Sequence, residues 1–283
     1  MNIALLAVGK RGYHFAAFNL AASIKHFDPT ANILLVTDAG VKYLHSTAPF
    51  AKVVQIDQAH TIYKGTFSPS LAKLNLHKYA SAYFKCGYLY LDADNIALRS
   101  LGDFYDQCVV GPFLIGVEGQ GGKSDSIPYS IWATNENIWS AFNLAEDATY
   151  FACHSDWWWA GDIKATGAIF KDAIALMGKV KPSDLRMKWG KTIPDELPLG
   201  AAISLSGIDP TPTFRPPAFL GNTSRTLAEI KADFPLLSMY GNGIGKTLTQ
   251  RRYFDLYDQL MRKYTTAHRY KSNQIMNDKW INK

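Results

Sequence analysis

Short, nearly continuous apolar runs alternate with amphipathic stretches in the N-terminal third of the chain. The runs are Ile3-Ala4-Leu5-Leu6-Ala7-Val8, Ile33-Leu34-Leu35-Val36-Thr37, Val53-Val54-Gln55-Ile56 and Tyr88-Leu89-Tyr90-Leu91. Their length and β-branched content suit strands covered on both faces. Between the first two, Phe15, Phe18, Ala22 and Lys25-His26 fall at helical spacing, which predicts a helix ending near Phe27. Between the last two, Ser68-Pro69 reads as an N-cap followed by proline at the first helical position. Ala72, Leu76, Tyr79-Ala80 and Tyr83 then mark that helix's expected buried stripe. Strands alternating with helices at this interval predict an α/β domain, with a central, mainly parallel sheet and helices on both faces.

From residue 110 onward the pattern is less regular. Gly119-Gln120-Gly121-Gly122-Lys123-Ser124 reads as a flexible loop, and Ile193-Pro194-Asp195-Glu196-Leu197-Pro198 as a rigid turn carrying two carboxylates. Trp157-Trp158-Trp159 has two readings, core packing or a platform for sugar rings or extruded bases. His77 and His154 fall into no metal-ligand pattern and read as satisfied core residues. Pro210 to Pro217 is a proline-rich loop, and Tyr253, Leu256, Tyr257, Leu260, Met261 and Tyr264 mark a C-terminal amphipathic helix. The expected organisation is one domain over residues 1–250 with a basic aromatic extension over 251–283.

Charge sharpens that division. The net charge is +6, but residues 251–283 hold eight basic side chains against three acidic ones, leaving the body at +1. A broad nucleic-acid-binding face is therefore not expected on the body, although the tail alone suits a polyanion. No apolar run reaches the roughly 18 residues of a membrane span. Cys86, Cys108 and Cys153 have no CxxC spacing and an odd count, which excludes a disulfide framework and a zinc knuckle and makes a cytoplasmic setting the expectation.

Ligands of open parallel sheets bind at the carboxyl ends of the strands. That rule points to Val8 and Gly9-Lys10-Arg11-Gly12-Tyr13 after the first strand, and to Asp92-Ala93-Asp94 after the fourth. An apolar strand ending in two carboxylates has a use for them, because uncompensated burial of charge is costly. Asp-x-Asp on an extended segment presents both carboxylates to one side, a geometry that grips a hard divalent cation bridging a diphosphate. The plain alternative is a turn with aspartates in their usual place.

The order of proline, helix, Lys73, apolar strand and Asp92-Ala93-Asp94 resembles the nucleotide-sugar site of GT-A fold glycosyltransferases, most of all the glycogenin-type group, family 8. The resemblance is specific over residues 69–101 and looser over the rest of 1–250. It implies a donor site formed by Val8, Tyr13, Lys73, Asp92, Ala93, Asp94 and Lys246, with Tyr13 stacking on uracil. It implies Mn²⁺ or Mg²⁺ on Asp92 and Asp94, with a nucleotide-diphosphate sugar, a UDP-sugar, as donor. Asp162, five residues before Gly167, matches an acidic position of the family, and Asp195-Glu196 matches its Asp-Gln motif with glutamate in place of glutamine. These three are the implied catalytic residues, lining the reacting sugar or the acceptor; for Asp162 and Asp195 a capping role is the alternative. The family's late histidine, its third metal ligand, has no counterpart in Leu237-Ser238-Met239-Tyr240-Gly241-Asn242-Gly243-Ile244-Gly245-Lys246, where Ser238, Asn242 or water would stand in.

The resemblance further implies sugar transfer to an acceptor hydroxyl with retention of configuration. The acceptor is a glycan or, through the basic tail, a hydroxymethylated DNA base. A non-catalytic nucleotide or polyanion binder, or a sugar nucleotidyltransferase, are the competing readings. Gly245-Lys246-Thr247 does not complete a phosphate loop, because Tyr240 stands where GxxxxGK[ST] needs its first glycine.

Overall fold

The computed structural model describes residues 1–9, 11–39, 47–125, 130–186, 192–219 and 226–238. Lys10, Lys246 and the whole 251–283 extension, with its expected helix, lie outside the described residues. In chain order the strands are β1 (Asn2–Ala7), β2 (Asn32–Thr37), β3 (Lys52–Gln55), β4 (Ile62–Tyr63), β5 (Thr66–Phe67), β6 (Tyr88–Asp92), β7 (Asn95–Ala97), β8 (Phe113–Gly121), β9 (Tyr150–Ala160), β10 (Ala218–Phe219) and β11 (Leu236–Ser238). The α-helices are α1 (Arg11–Phe27), α2 (Pro69–Phe84), α3 (Gly102–Cys108), α4 (Asn135–Phe142), α5 (Ile163–Met177), α6 (Glu196–Ser206) and α7 (Leu227–Asp233). The main sheet has the order β3-β2-β1-β6-β9-β8. Its first four strands are parallel, as the alternating pattern predicts, and β8 with β9 forms an antiparallel pair that the pattern does not reveal.

The chain divides into two compact units. One comprises residues 1–55, 89–107 and the chain from 214. Here β1 and β2 bury nearly every side chain, which is why they read as continuous apolar runs. Helix α1 begins at Arg11, so Tyr13 lies in its first turn. Strand β7 pairs antiparallel with β11, and Ser238 lies opposite Asn95.

The other unit comprises residues 56–88 and 108–213. Ser68 caps α2, its hydroxyl accepting from Leu71 N–H, with Pro69 in the first turn as predicted. The stripe of α2 is buried at Ala72, Leu76 and Ala80, whereas Tyr79 and Tyr83 are only partly covered. The expected loop at Gly119–Ser124 is instead the end of β8 followed by a turn at Gly122. Trp157, Trp158 and Trp159 are buried in β9 at 1%, 0% and 3% exposure, which removes the stacking-platform reading and leaves core packing. Buried rings of this size contribute roughly 2–3 kcal/mol each by area. His77 is a satisfied core residue, bonded to Tyr88 Oη and to the Ile163 carbonyl. Among the described residues no helix is long and apolar enough to cross a membrane.

Candidate functional site

In the unit built on β1, the chemistry gathers where the parallel strands end. Asp92 closes β6, Ala93 and Asp94 form a turn, and Asn95 opens β7. The two carboxylates therefore leave a strand end and a turn rather than one extended segment. Both are half-buried with Ala93 buried between them. Tyr90 Oη donates to Asp92 Oδ1, and Asn95 Nδ2 donates to the Asp92 carbonyl at 2.9 Å, so the turn is held from both sides. Two hard carboxylate donors suit Mg²⁺ or Mn²⁺, which take one or two carboxylates and fill their other positions with water and substrate phosphate. The neighbouring Asn95 Oδ1 is a buried oxygen with no hydrogen-bond partner among the described residues. No group of three His, Cys, Asp or Glu side chains that could hold a metal occurs among the described residues. Val8 is buried and Tyr13 is half-buried.

Asp38, which sequence reasoning missed, organises this end of the sheet. Its Oδ2 accepts from Gly9 N–H at 2.7 Å, and its Oδ1 lies 3.2 Å from His14 Nε2. The segment after β1 is thereby anchored to the segment after β2.

In the other unit, the site grows from an interruption of β9. Ile115 pairs with Trp158 but Gly116 pairs with His154, so Ser155, Asp156 and Trp157 have no partner on β8. A second register shift falls between Val117 and Gly119, at Glu118. Such bulges re-aim side chains. Gly116 permits the first: a Cβ there would lie 3.2 Å from both the His154 carbonyl and Trp157 Nε1.

The bulge presents Ser155 to α2 and α6. Lys73 Nζ donates to the Ser155 carbonyl at 3.0 Å and to its Oγ at 3.2 Å, and lies 3.9 Å from Asp195 Oδ2. Ser155 Oγ in turn donates to Asp195 Oδ2 at 2.6 Å. Asp195 stands at the N-cap of α6 without making a side-chain cap bond, so the capping alternative does not describe its carboxylate. Glu196 accepts from Trp132 Nε1. Burial, and then the charge of Asp195, raise the Glu196 carboxyl to about 7, against the Trp132 hydrogen bond and the charges of His154 and Lys73. Helix α6 lies hard against β9, because a Cβ on Gly200 would sit 2.3 Å from the Phe151 carbonyl.

His154 is not a passive core residue. Its Nδ1 lies 2.6 Å from Asp156 Oδ1 and its Nε2 4.0 Å from Glu118 Oε1. Burial alone lowers its pKa, but the Asp156 hydrogen bond and the charges of Asp156, Glu196 and Glu118 outweigh this and lift it to about 9. The pair stands at i and i+2 in β9, a spacing that puts both side chains on one face of a strand, and sequence reasoning passed over it.

The structure thus brings together Lys73, Asp195 and Glu196, and adds Ser155, His154, Asp156 and Trp132. It does not bring Asp162 to them. That residue follows the end of β9 and caps α5, its Oδ1 accepting from Lys164 N–H and Ala165 N–H, both at 2.9 Å. The capping alternative describes its Oδ1. Lys73, implied as a donor contact, has its ammonium engaged with Ser155 and Asp195.

No family model and no curated relative matches the chain. Solved structures do. A galactosyltransferase, LgtC, in complex with donor and acceptor sugar analogues shares 13% identity over 95% of this chain and 98% of its own, with a TM-score of 0.56. An active-site mutant of LgtC matches with a TM-score of 0.54 at 13% identity, over 97% of this chain and 100% of its own. The bifunctional glycosyltransferase WbbM matches with a TM-score of 0.53 at 12% identity, over 94% of this chain, which spans about half (51%) of WbbM. At these identities the likeness is one of fold, and the fold is the GT-A fold of nucleotide-diphospho-sugar transferases.

Proposed function

We propose that the chain is a glycosyltransferase of the glycogenin-type group, moving a sugar from a UDP-sugar to an acceptor hydroxyl with retention of configuration. The observation that carries this reading is the Asp92–Asp94 pair at the carboxyl end of β6, in a fold shared along 95% of the chain with an enzyme solved with donor and acceptor sugar analogues.

Asp92 and Asp94 would hold Mn²⁺ or Mg²⁺, and what such an ion supplies is positive charge against the leaving diphosphate. Tyr13, with the main chain at Val8 and Ala93, serves the nucleotide, and Lys246 serves the phosphates. Asp195 and Glu196 serve the sugar and the acceptor. Lys73 acts through Asp195, and a direct donor contact by Lys73 is the part of the family pattern that its bonded state favours least. Asp162 caps α5 through Oδ1, and its implied place at the sugar would fall to its other oxygen.

The test is a thermal-shift panel of nucleotide-diphosphate sugars, each with and without Mn²⁺. A true donor raises the melting temperature by mass action. A metal-dependent shift with one UDP-sugar, and its turnover to UDP, supports the reading. Binding without turnover assigns a non-catalytic binder, and formation of a nucleotide sugar from sugar phosphate and nucleoside triphosphate assigns a nucleotidyltransferase.

One observation favours DNA over glycan as acceptor: five of the six net positive charges lie in residues 251–283. Phosphate contacts from such a tail give salt-dependent affinity. Deleting residues from 265 onward should then weaken DNA binding and leave donor hydrolysis intact. Equal DNA affinity after truncation returns the assignment to a glycan.

A further inference from the structure

The paired carboxylates at the start of α6 differ in their surroundings. Asp195 accepts from Ser155 Oγ at 2.6 Å and faces the Lys73 ammonium at 3.9 Å, so it ties α6 to β9 and α2. Glu196 opens onto a small cleft that it lines with Glu118, Ser130, Ile131, Trp132 and Ala152. The Trp132 indole N–H binds one Glu196 oxygen, and no other described residue hydrogen-bonds its second oxygen.

We infer that Glu196 takes the proton from the acceptor hydroxyl, and that Asp195 is a positioning residue which holds α6 in place for it. This rests on the glycosyltransferase reading. In the step, the acceptor oxygen gives a lone pair to the anomeric carbon on the same face the diphosphate leaves, which keeps the configuration. The bond from that carbon to the diphosphate oxygen breaks, its electron pair leaving with the diphosphate, and the acceptor proton passes to the Glu196 carboxylate.

The other carboxylates of this unit's site are engaged elsewhere. Asp156 is paired with His154, Asp162 caps α5, and Glu118 is half exposed beside His154 Nε2. The groups facing Glu196 are Asp195 on its own helix, Trp132, Lys73 on α2, His154 with Asp156, Tyr150 and Cys153 on β9, and Glu118 on β8. Burial and Asp195 together leave the Glu196 carboxyl near neutrality in its proton affinity. A base with a pKa near the working pH combines a useful deprotonated fraction with a useful driving force.

The experiment is a pH–rate profile for UDP release from UDP-glucose and UDP-galactose by the full chain with Mn²⁺, water serving as acceptor. It uses wild type, Glu196→Gln, Glu196→Asp and Ser155→Ala. For wild type, kcat should rise with pH through about 7. Glu196→Gln should lower kcat by about 100-fold or more, erase that limb and leave the KM for donor within about twofold. Glu196→Asp should keep the limb at reduced rate, and Ser155→Ala should lose rate while keeping it. A Glu196→Gln protein that retains the limb, or that loses donor binding along with turnover, overturns the assignment while the transferase reading stands. A wild-type protein that neither binds nor turns over any UDP-sugar overturns the transferase reading, and this inference with it.

Discussion

Ser155 Oγ donates a 2.6 Å hydrogen bond to Asp195 Oδ2, and in doing so ties a bulge in β9 to the first turn of α6. The contact joins residues 40 positions apart. Because the acceptor is a carboxylate, the bond is of the stronger, charge-assisted kind. Lys73 completes the tether from α2 by binding the same serine's carbonyl and hydroxyl.

Removing that hydroxyl should loosen the start of α6. Ser155→Ala is expected to cost about 1.5–3 kcal/mol of stability, the range for a hydrogen bond to a charged group. Turnover should fall by about tenfold or more, with Mn²⁺-dependent donor binding retained. Urea unfolding and steady-state kinetics check both, and wild-type stability in the variant would remove the tether from the account.

Gly200 sets how closely α6 approaches β9. By helix propensity alone, Gly200→Ala should stabilise by about 1 kcal/mol. The new Cβ would however lie 2.3 Å from the Phe151 carbonyl and 2.9 Å from the Tyr150 ring, and overpacking of this kind costs about 1–3 kcal/mol or more. The clash should win, lowering the melting temperature and, by displacing Asp195 and Glu196, the turnover. A variant that melts higher than wild type would show that the helix can move away freely.

Of the groups in this unit that hold protons more tightly than usual, His154 and Glu196 do so nearest neutrality, and for each the contribution to stability should fall as pH rises; His60 and His77, whose values burial lowers, act in the opposite sense near pH 6.5. For His154, raised from 6.5 to about 9, the stabilising contribution is fully present below pH 6.5 and is lost as the pH rises through about 9. Its size is on the order of 3 kcal/mol. For Glu196, raised from 4.5 to about 7, the cost of ionising a covered carboxyl develops between those two values. Denaturant unfolding from pH 5 to 9.5 should show the decline. His154→Gln should flatten its upper part, and Glu196→Gln its lower part. An unchanged slope in the His154 variant would remove the Asp156 pairing as its source.

Asp92→Asn and Asp94→Asn should each abolish Mn²⁺-dependent turnover while leaving the melting temperature of the metal-free protein within a few degrees of wild type. Both residues are half-buried at a strand end and turn, and the neutral amide keeps their shape while losing the charge that binds a cation. Near-normal rates in either variant would remove the metal site.

The strands β1, β2, β3 and β6 are legible in the sequence because each is dominated by apolar residues, so the run stands out from its neighbours. The start of α2 is legible because Ser68 and Pro69 satisfy and pre-set a helix terminus locally. Asp92 and Asp94 are legible for the same local reason, two carboxylates directly after a buried run, although the turn between them is not. By contrast the pattern misleads over β8 and β9: the glycines at 119–121 suggest a loop, yet they extend β8 by pairing with Ala152, Phe151 and Tyr150.

What the sequence determined by itself is therefore the parallel half of the sheet, the helices packed into that pattern and the acidic end of β6, all of which follow from periodicity and capping within a few residues. Only the tertiary structure decided that Asp195 makes no cap bond but meets Ser155 and Lys73, and that Ser155 is turned toward them. Those outcomes turn on which partner a polar group finds across the fold. A register jump between β8 and β9, permitted by Gly116, delivers Ser155 to partners on α2 and α6 that no local spacing encodes.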